Sequence, residues 1–329
     1  MASWLVTGGA GYIGAHVVRA LEEQGEHAVV LDDLSTGERD RVPASADFVH
    51  GSVADVELVR RTLRDRDVEG VIHIAAKKQV GESVDEPLTY YRENVTGIQA
   101  LLDAVVAEDV RSFVFSSSCA TYGMPDTGTV DEDADTRPLS PYGTTKLMGE
   151  WMCRDVAAAT GLRVVALRYF NVAGAATPEL GDPGVFNLIP LAFRELDAGE
   201  RPKLFGNDYP TPDGTCIRDY VHVADIADAH VAALRDLAGS AGKEPFRVFN
   251  VGRGEGSSVL EVLGVVGEVT GLDATPLVVD RRPGDPARIV GRVDRIGTAL
   301  GWSARYDLHD MVESAWAGWQ LRRSPAPTP

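Results

Sequence analysis

Tyr142 and Lys146 are the two side chains whose types and spacing point most directly to chemistry. They lie four residues apart in Tyr142-Gly143-Thr144-Thr145-Lys146, and residues at that spacing share one face of an α-helix. A free phenol has a pKa of about 10, and a nearby ammonium group favours the phenolate and lowers that value. Lowering it to about 7 would need about 4 kcal/mol of differential stabilisation, which a close ammonium together with a second, bound cation could supply in a partly dry cleft. The pair therefore predicts a tyrosine base that takes a proton from a hydroxyl group.

Ser118 is the third candidate catalytic residue. It ends the apolar run Ser112-Phe113-Val114-Phe115 and the three serines that follow, which together are typical of a buried strand. A hydroxyl there could bond the reacting group and share its proton with Tyr142. The alternative is that Ser118 only caps backbone groups, as serines at strand ends commonly do. Its position just ahead of the helix that carries Tyr142 and Lys146 favours the catalytic interpretation.

A glycine-rich turn near the N-terminus predicts a dinucleotide-binding unit. The short apolar strand Trp4–Thr7 runs into Gly8-Gly9-Ala10-Gly11-Tyr12-Ile13-Gly14, and a helical pattern follows through Leu21. In such a unit Gly8 permits the tight turn, Gly11 lets the backbone approach a pyrophosphate, and Gly14 lets the helix pack closely. The N–H groups and dipole of the helix then favour the phosphate charge.

An acidic residue at the end of the next strand identifies the expected dinucleotide. The strand Ala28–Leu31 ends at Asp32, eighteen residues beyond Gly14. A carboxylate there can accept hydrogen bonds from ribose hydroxyls and repels a 2′-phosphate. The alternative for Asp32 and Asp33 is a solvated turn. We expect NAD rather than NADP as the cofactor.

The order of the elements predicts an α/β fold with a doubly wound, Rossmann-type parallel sheet and a smaller mixed α/β substrate domain. Strand and helix patterns alternate as far as Val164–Tyr169, with a long helix expected over Leu88–Ala107. Beyond Asn171 the chain is rich in Gly and Pro. We assign 1–172 to an NAD-binding domain with a returning segment at about 217–250, and 173–322 to an interleaved substrate domain. The Pro-rich end, 323–329, is expected to be disordered.

Composition narrows the functional classes. The 329 residues carry a net charge of −17, which opposes nonspecific binding to nucleic acid. We expect no membrane association, because no run approaches the ~18 apolar residues of a membrane span. The chain starts directly in a strand, without a basic and apolar leader, so a cytoplasmic location is expected. Three widely spaced cysteines favour a reducing compartment and argue against a disulfide framework or a metal site.

Taken together, these motifs resemble the extended short-chain dehydrogenases/reductases, and within them the UDP-glucose 4-epimerase family. The resemblance runs from residue 3 to about 320. The runs that carry it are Thr7–Gly14, Lys78–Ser83, Phe115–Ser118, Ser140–Gly143, Leu167–Asn171, Phe205–Thr211, Asp213–Thr215, Arg218–Val223 and Arg281–Asp285.

The resemblance implies roles for individual residues. It makes Tyr142 the base, with Ser118 assisting and Lys146 binding the nicotinamide ribose. Contacts with NAD are implied for Gly8, Gly11, Tyr12, Ile13, Gly14, Asp32, Ser52, Val53, Ala75, Lys78, Asn94, Ser116, Tyr142, Lys146 and Phe170. Contacts with the substrate are implied for Ser118, Tyr142, Asn171, Asn187, Leu188, Phe205, Arg218, Arg282 and Asp285. The family also implies a UDP-hexose as substrate and a homodimer as the assembly.

The implied reaction interconverts UDP-glucose and UDP-galactose. It oxidises the sugar at C4 with NAD, lets the 4-keto sugar turn in the pocket, and reduces it on the other face. A 4-epimerase of UDP-N-acetylhexosamine, UDP-glucuronate or UDP-xylose is the nearest alternative. A 4,6-dehydratase would want an acid pair after the strand serines, where this chain has Cys119 and Ala120. A non-enzymatic NAD-binding sensor on the same fold is the alternative from another class.

Overall fold

The structure is a computed structural model of the chain, and it describes residues 2–125, 127–239, 243–282 and 284–323. The strands in these ranges are β1 (Ser3–Thr7), β2 (His27–Asp32), β3 (Asp47–His50), β4 (Val68–His73), β5 (Ser112–Ser118), β6 (Thr129–Val130), β7 (Arg163–Tyr169), β8 (Asn171–Ala173), β9 (Lys203–Phe205), β10 (Ile217–His222), β11 (Phe246–Val251), β12 (Gly256–Ser258), β13 (Leu277–Val279) and β14 (Arg288–Gly291).

The helices in the same ranges are α1 (Tyr12–Glu23), α2 (Val56–Asp65), α3 (Val80–Asp85), α4 (Pro87–Tyr90), α5 (Gly97–Ala107), α6 (Pro141–Thr160), α7 (Leu188–Asp197), α8 (Val223–Ala238), α9 (Val259–Thr270), α10 (Asp294–Leu300) and α11 (Leu308–Arg323). A π-helical turn at Tyr91–Thr96 joins α4 to α5.

A seven-stranded sheet in the order β11-β7-β5-β4-β1-β2-β3 forms the centre of the molecule. Its neighbouring strands all pair in parallel. The order reverses between β1 and β4, which are adjacent although two strands separate them in the chain. Ligands of such sheets gather at the carboxyl ends of the strands beside this reversal. The predicted doubly wound, Rossmann-type fold is confirmed.

Helices cover both faces of this sheet, and the strand sequences require it. Successive side chains of a strand point to opposite faces, yet Leu5 and Val6 of β1 are both fully buried. Val6 packs into the core that α1 and α8 share with the sheet, whereas Leu5 packs into the core beneath α2, α5 and α6. A strand that is apolar on both faces is typical of a parallel sheet enclosed by helices.

The second part of the molecule is built around a smaller sheet. Strands β12, β10, β14 and β6 form it in that order, and β8 pairs with β10; β9 and β13 form a separate parallel pair. Of the segment at about 217–250, α8 and β11 return to the large sheet, whereas β10 lies in the small one. A further core lies among α7, α9 and α11, where Phe193 packs against Trp316 and Trp319.

Two sequence expectations differ in detail from the structure. The long helix expected over Leu88–Ala107 is interrupted by the π-helical turn that contains Asn94. Arg323, placed in the tail, is the last residue of α11, and residues 324–329 lie outside the described residues. No helix in the described part of the chain is long and apolar enough to cross a membrane. Across the same ranges we find no group of three or more metal-ligating side chains arranged to hold an ion.

Candidate active site

The glycine turn between β1 and α1 has the geometry that a bound pyrophosphate needs. Gly8 has a φ of +72°, a backbone conformation that other residues rarely adopt. A Cβ on Gly14 would lie 2.0 Å from the carbonyl oxygen of Gly8, so only glycine lets α1 begin this close to the turn. Gly11 is the N-cap of α1 and provides no side-chain cap. The first N–H groups of the helix are therefore open to an anion.

Asp32 occupies the position expected of a ribose-binding carboxylate, at the end of β2. Its Oδ2 accepts a hydrogen bond from the backbone N–H of Ala10 (2.9 Å), and its Oδ1 accepts one from Leu34 (2.8 Å). Each carboxylate oxygen has a second lone pair, so acceptor capacity remains for ribose hydroxyls. Burial raises the pKa of Asp32 above its ordinary value. The uncapped helix start, the glycines and this carboxylate fit a dinucleotide without a 2′-phosphate.

Tyr142 and Lys146 lie in the first two turns of α6. Ser140 caps this helix by accepting a hydrogen bond from the N–H of Gly143, and Pro141 occupies its first position. Both predicted catalytic side chains are buried. The Lys146 ammonium donates to the carbonyl oxygen of Ser116, 2.8 Å away. The helix bearing the predicted base is thus fastened to the carboxyl end of β5.

Ser118 caps the turn after β5 and also influences Tyr142. Its hydroxyl oxygen accepts a 3.2 Å hydrogen bond from the N–H of Ala120. The same side chain acts to lower the pKa of Tyr142, as the catalytic interpretation of Ser118 requires. The structure therefore brings Ser118, Tyr142 and Lys146 together at one strand end, beside the reversal in the strand order.

The electrostatics of the site differ from the expectation drawn from Tyr142 and Lys146. Burial raises the pKa of Tyr142 to about 12, and the hydrogen bond with Ser118 only partly opposes this. Burial also lowers the pKa of Lys146 to about 8, against the opposing charge of Glu150. In the chain alone, burial therefore dominates the pKa of Tyr142, and the acidic phenol stays a prediction for the protein with a cation bound beside Tyr142.

Two residues assigned to cofactor contact have their side chains engaged elsewhere. The Ser116 side chain is fully buried and bonds to Nε2 of His230 at 2.9 Å, so Ser116 contributes through the carbonyl that holds Lys146. The Asn94 amide binds the backbone N–H and carbonyl oxygen of Lys77 and donates to Oγ1 of Thr145. Both side chains therefore connect segments of the site to one another, and their contact with the cofactor stays a prediction.

The remaining residues assigned to the cofactor lie around the same strand ends. Ala75 follows β4, and its N–H is 3.1 Å from the Thr7 carbonyl oxygen beside the glycine turn. The Lys78 ammonium lies 5.7 Å from the centre of the Tyr12 ring.

The other residues assigned to the cofactor lie at the starts and ends of further elements. Ile13 belongs to the first turn of α1, and Ser52 and Val53 follow β3. Phe170 follows β7 and packs against Tyr122, Val130 and Ile289.

Three residues assigned to the substrate line one pocket between the two parts of the molecule. Asn171 at the start of β8, Asn187 at the N-cap of α7, and Leu188 lie on its wall. Tyr12 of the cofactor helix and Tyr220 of β10 line it as well. The pocket therefore adjoins both the glycine turn and the small sheet.

The four other substrate residues form two contact pairs. The Arg282 guanidinium stacks on the Phe205 ring, 3.8 Å from its centre. Arg218 donates to Oδ1 of Asp285 at 2.5 Å. Arg218 therefore forms an ion pair with a carboxylate, whereas Arg282 stacks on an aromatic ring. A planar cation over an aromatic ring is an arrangement that also accepts a flat heterocycle.

Two residues of the site were missed by the sequence reasoning. Thr145 donates to the Tyr142 carbonyl oxygen and accepts from Asn94; its place inside the Tyr-x-x-x-Lys motif was the available signal. Asp182 lines the same pocket as Asn171 and Asn187, and the sequence offered only an Asp-Pro-Gly turn there.

Comparison with known proteins agrees with this geometry. A family model described as "NAD dependent epimerase/dehydratase family" matches residues 4–252. The chain is 47% identical to a UDP-glucose 4-epimerase of Azospirillum brasilense over 96% of its own length and 91% of that protein.

Two solved structures extend this comparison. The UDP-glucose 4-epimerase of Brucella ovis in complex with NAD is 41% identical, with a TM-score of 0.92 over 97% of this chain and 99% of that one. The enzyme of Stenotrophomonas maltophila, with bound NAD and formylated UDP-arabinopyranose, is 37% identical, with a TM-score of 0.94 over 98% and 99%. The chain therefore belongs to the NAD-dependent epimerase/dehydratase family.

Proposed function

We propose that this chain interconverts UDP-glucose and UDP-galactose by inverting the sugar at C4, with NAD as its bound redox partner. The observation that carries the proposal is the enclosure of Tyr142, Ser118 and Lys146 at the carboxyl end of β5, in the same parallel sheet whose strand β1 leads into the glycine turn at its own carboxyl end. A proton-transferring phenol beside a dinucleotide cradle suits the oxidation of a secondary alcohol. The full-length similarity to UDP-glucose 4-epimerases supports the choice of substrate.

In this proposal Tyr142 takes the proton of the sugar 4-hydroxyl and returns it after the sugar has turned. Bound NAD supplies a cationic nicotinamide that accepts the C4 hydrogen and gives it back. The starting pKa of Tyr142, about 12, means that a base active near neutrality needs about 7 kcal/mol of added phenolate stabilisation. Ser118 contributes one hydrogen bond toward this, and the Lys146 charge contributes in the same direction. Enclosure strengthens both interactions because little water screens them.

The nucleotide would be held by residues away from the reacting carbon. Phe205 and Arg282 provide a flat cationic and aromatic surface that suits uracil, and Arg218 suits a diphosphate oxygen. Asn171 and Asn187 line the pocket nearer the cofactor turn. Concentrating the binding energy on UDP leaves the sugar free to present either face.

Product analysis tests this function. Purified protein is incubated with UDP-galactose, without added NAD, and the sugars are resolved by NMR. We expect UDP-glucose to accumulate to equilibrium, with Tyr142→Phe as the control that retains NAD but converts little. If Tyr142→Phe converts the sugar as fast as the wild type does, Tyr142 is not the base. No conversion by NAD-loaded wild type would remove the proposed function and favour the sensor alternative.

A wider range of UDP-sugars is the second candidate. The Stenotrophomonas neighbour holds a UDP-pentose derivative. In this chain Ile289 sits in a small apolar cluster with Tyr122 and Phe170, a medium-sized side chain near the end of β7. Parallel assays on UDP-N-acetylglucosamine, UDP-glucuronate and UDP-xylose discriminate the alternatives. Turnover on any of them equal to or above that on UDP-galactose would reassign the substrate.

We also propose that the chain acts as a homodimer in the cytoplasm. Val84, Leu88 and Trp151 are exposed apolar side chains on α3, α4 and α6, and these helices contact one another. A patch of this kind is more typical of an interface than of a free surface. Light scattering of the wild type should give twice the monomer mass, and Trp151→Glu should lower it. The cytoplasmic location rests on a separate observation. Cys119, Cys153 and Cys216 are free thiols, which favours a reducing compartment. Cell fractionation would test this location.

A further inference from the structure

The segment 174–182 is part of the substrate pocket, but side chains of the nucleotide-binding half hold it in place. Gly174 and Asp182, its two ends, line the pocket. The chain then continues to Asn187 at the start of α7. Movement of this segment would therefore reshape the wall on which the sugar nucleotide rests.

Two side chains of the cofactor helix α1 bind the backbone of this segment. The Tyr12 hydroxyl donates to the Gly174 carbonyl oxygen at 2.5 Å. Nε2 of His16 accepts the N–H of Ala176 at 3.0 Å, while its Nδ1 lies 2.8 Å from the Tyr12 carbonyl oxygen. An Nε2 that accepts must be unprotonated, so the proton of the neutral ring is on Nδ1. Burial supports this state by lowering the pKa of His16 to about 3.

Arg41 holds the other end of the segment. It lies in a short 3₁₀ turn, Arg39–Arg41, in the connection between β2 and β3. Its Nη2 donates to the Leu180 carbonyl oxygen at 2.8 Å, and its Nη1 donates to that of Gly181 at 2.9 Å. Arg41 is only 5% exposed. An arginine buried with both terminal nitrogens on backbone carbonyls fixes their position, and its guanidinium has a rigid fork geometry.

The other side of the segment rests on α11. The N–H of Ala175 donates to Oγ of Ser314 at 3.2 Å. A Cβ on Gly181 would lie 3.1 Å from the Cα of Gly318, so the two backbones are in close contact. The segment is thus clamped between α11 and the side chains of Tyr12, His16 and Arg41.

We propose that His16 and Arg41 are positioning residues that couple occupancy of the cofactor site to that of the sugar-nucleotide site. The first turn of α1 presents its N–H groups to the cofactor, and the same helix holds the wall of the substrate pocket. A ligand that orders segment 174–182 from either site therefore favours ligand binding at the other site. The coupling is reciprocal. It lets bound UDP-sugar slow the loss of NAD while the oxidised sugar is in the pocket. This inference rests on the proposed function for the identity of the two ligands.

Release of NAD in the presence and absence of UDP tests the coupling without relying on turnover. NAD-loaded protein is diluted into an NAD-trapping mixture, and retained NAD is measured over time. In the wild type we expect saturating UDP to slow release by about five-fold or more, the lower end of common couplings. His16→Phe fills the same space but leaves the Ala176 N–H unpaired, and the UDP effect should disappear. His16→Gln offers an acceptor again and should restore part of it.

Arg41→Met provides an independent second variant, and Arg41→Lys is its partial rescue. Arg66→Met is the matched control, because Arg66 pairs with Asp47 and makes no contact with the segment. The proposal predicts weaker UDP binding by calorimetry in His16→Phe and Arg41→Met, but not in Arg66→Met. An equal UDP effect on NAD release in wild type, His16→Phe and Arg41→Met would overturn it. If UDP slows NAD release but the protein epimerises no sugar, the proposed function is wrong and the coupling proposal stands.

Discussion

The Lys146 ammonium donates to the carbonyl oxygen of Ser116 across 2.8 Å, which fastens α6 to the carboxyl end of β5. The contact leaves two further donors on the ammonium for a ligand. Burial lowers the pKa of Lys146 to about 8, so the group is still mostly charged at pH 7. One residue therefore connects α6 to β5 and carries a buried positive charge four residues from Tyr142.

Replacing Lys146 by Met should separate these effects from simple packing. Methionine fills similar space, but it removes the charge and leaves the Ser116 carbonyl unpaired. We expect activity to fall by about 100-fold or more, the usual contribution of a proton-transfer group and its support. The free energy of unfolding should fall by about 1–3 kcal/mol, which is the cost of leaving a buried acceptor unpaired. Steady-state assays and urea unfolding check both, and near-normal turnover would show that the charge is not needed.

Tyr142 should become a phenolate only when the cofactor is bound. In the chain alone its pKa is about 12, so at neutral pH the apo protein should show no phenolate absorbance from this residue. A cationic ligand beside it favours the ionised form. Ultraviolet difference spectra of holo minus apo protein around neutral pH should therefore show a phenolate band that is missing in Tyr142→Phe. The same variant should lose about 10²–10⁴-fold in turnover while keeping its NAD. A band of equal size in Tyr142→Phe would assign the phenolate elsewhere.

Local pattern was sufficient to predict the central sheet. Strands such as Trp4–Thr7 combine apolar runs with glycine or acidic residues at their ends, and these features depend on a few neighbouring residues. The short strands of the second part, β6, β8, β9 and β12 to β14, were not predicted. Strands of two to four residues carry no detectable period, and only pairing with distant segments defines them.

The residues of the candidate site could be predicted from the sequence, but the pKa of Tyr142 could not. The spacing of Tyr142 and Lys146 correctly placed both residues on one helix, α6. The high pKa of Tyr142 in the chain alone could not be predicted, because desolvation depends on all the chain packed around Tyr142, which spacing does not report. The partners of the Ser116 and Asn94 side chains could not be predicted either, since sequence position cannot show which way a side chain points. In the structure these side chains bond to His230 and Lys77, and their contact with the cofactor stays a prediction.

Two glycines of the nucleotide turn should respond differently to alanine. A Cβ on Gly11 would lie 3.3 Å from the Gly8 carbonyl oxygen, but one on Gly14 would lie 2.0 Å from the same atom. Gly11→Ala should therefore fold with a loss of about 1 kcal/mol or less but retain less NAD, because a methyl group obstructs the approach of phosphate. Gly14→Ala should lose about 3 kcal/mol or more, since backbone must move. Urea unfolding of apo protein and NAD content measure the two effects. Unchanged NAD content in Gly11→Ala would contradict the cradle assignment.

Arg282 and Arg281 form a matched pair for testing nucleotide binding. Arg282 stacks on Phe205, while Arg281 stacks on Tyr209 and pairs with Asp208. Arg282→Leu should raise KM for UDP-galactose about 10-fold or more with little change in kcat, because the contact is the same in ground and transition states. Arg281→Leu, the control, should leave KM within about two-fold. A fall in kcat without a change in KM for Arg282→Leu would place the arginine at the reacting sugar instead.

His73 should contribute to loss of stability in mild acid. It is buried beside Thr7, with Nδ1 2.8 Å from Oγ1, and burial lowers its pKa to about 3, against about 6.5 in the unfolded chain. Between these values the unfolded state binds more protons, so stability is complete above about pH 6.5 and falls as the pH drops. On going from pH 7 to pH 5, this residue should lower the free energy of unfolding by about 2 kcal/mol. His73→Phe should reduce the difference in unfolding free energy between those two pH values by that amount, measured by urea titration. The hydrogen bond lost with Thr7 cancels in this comparison, and His309→Phe, at an exposed histidine, is the control. An unchanged difference in His73→Phe would mean that His73 is protonated in the folded state.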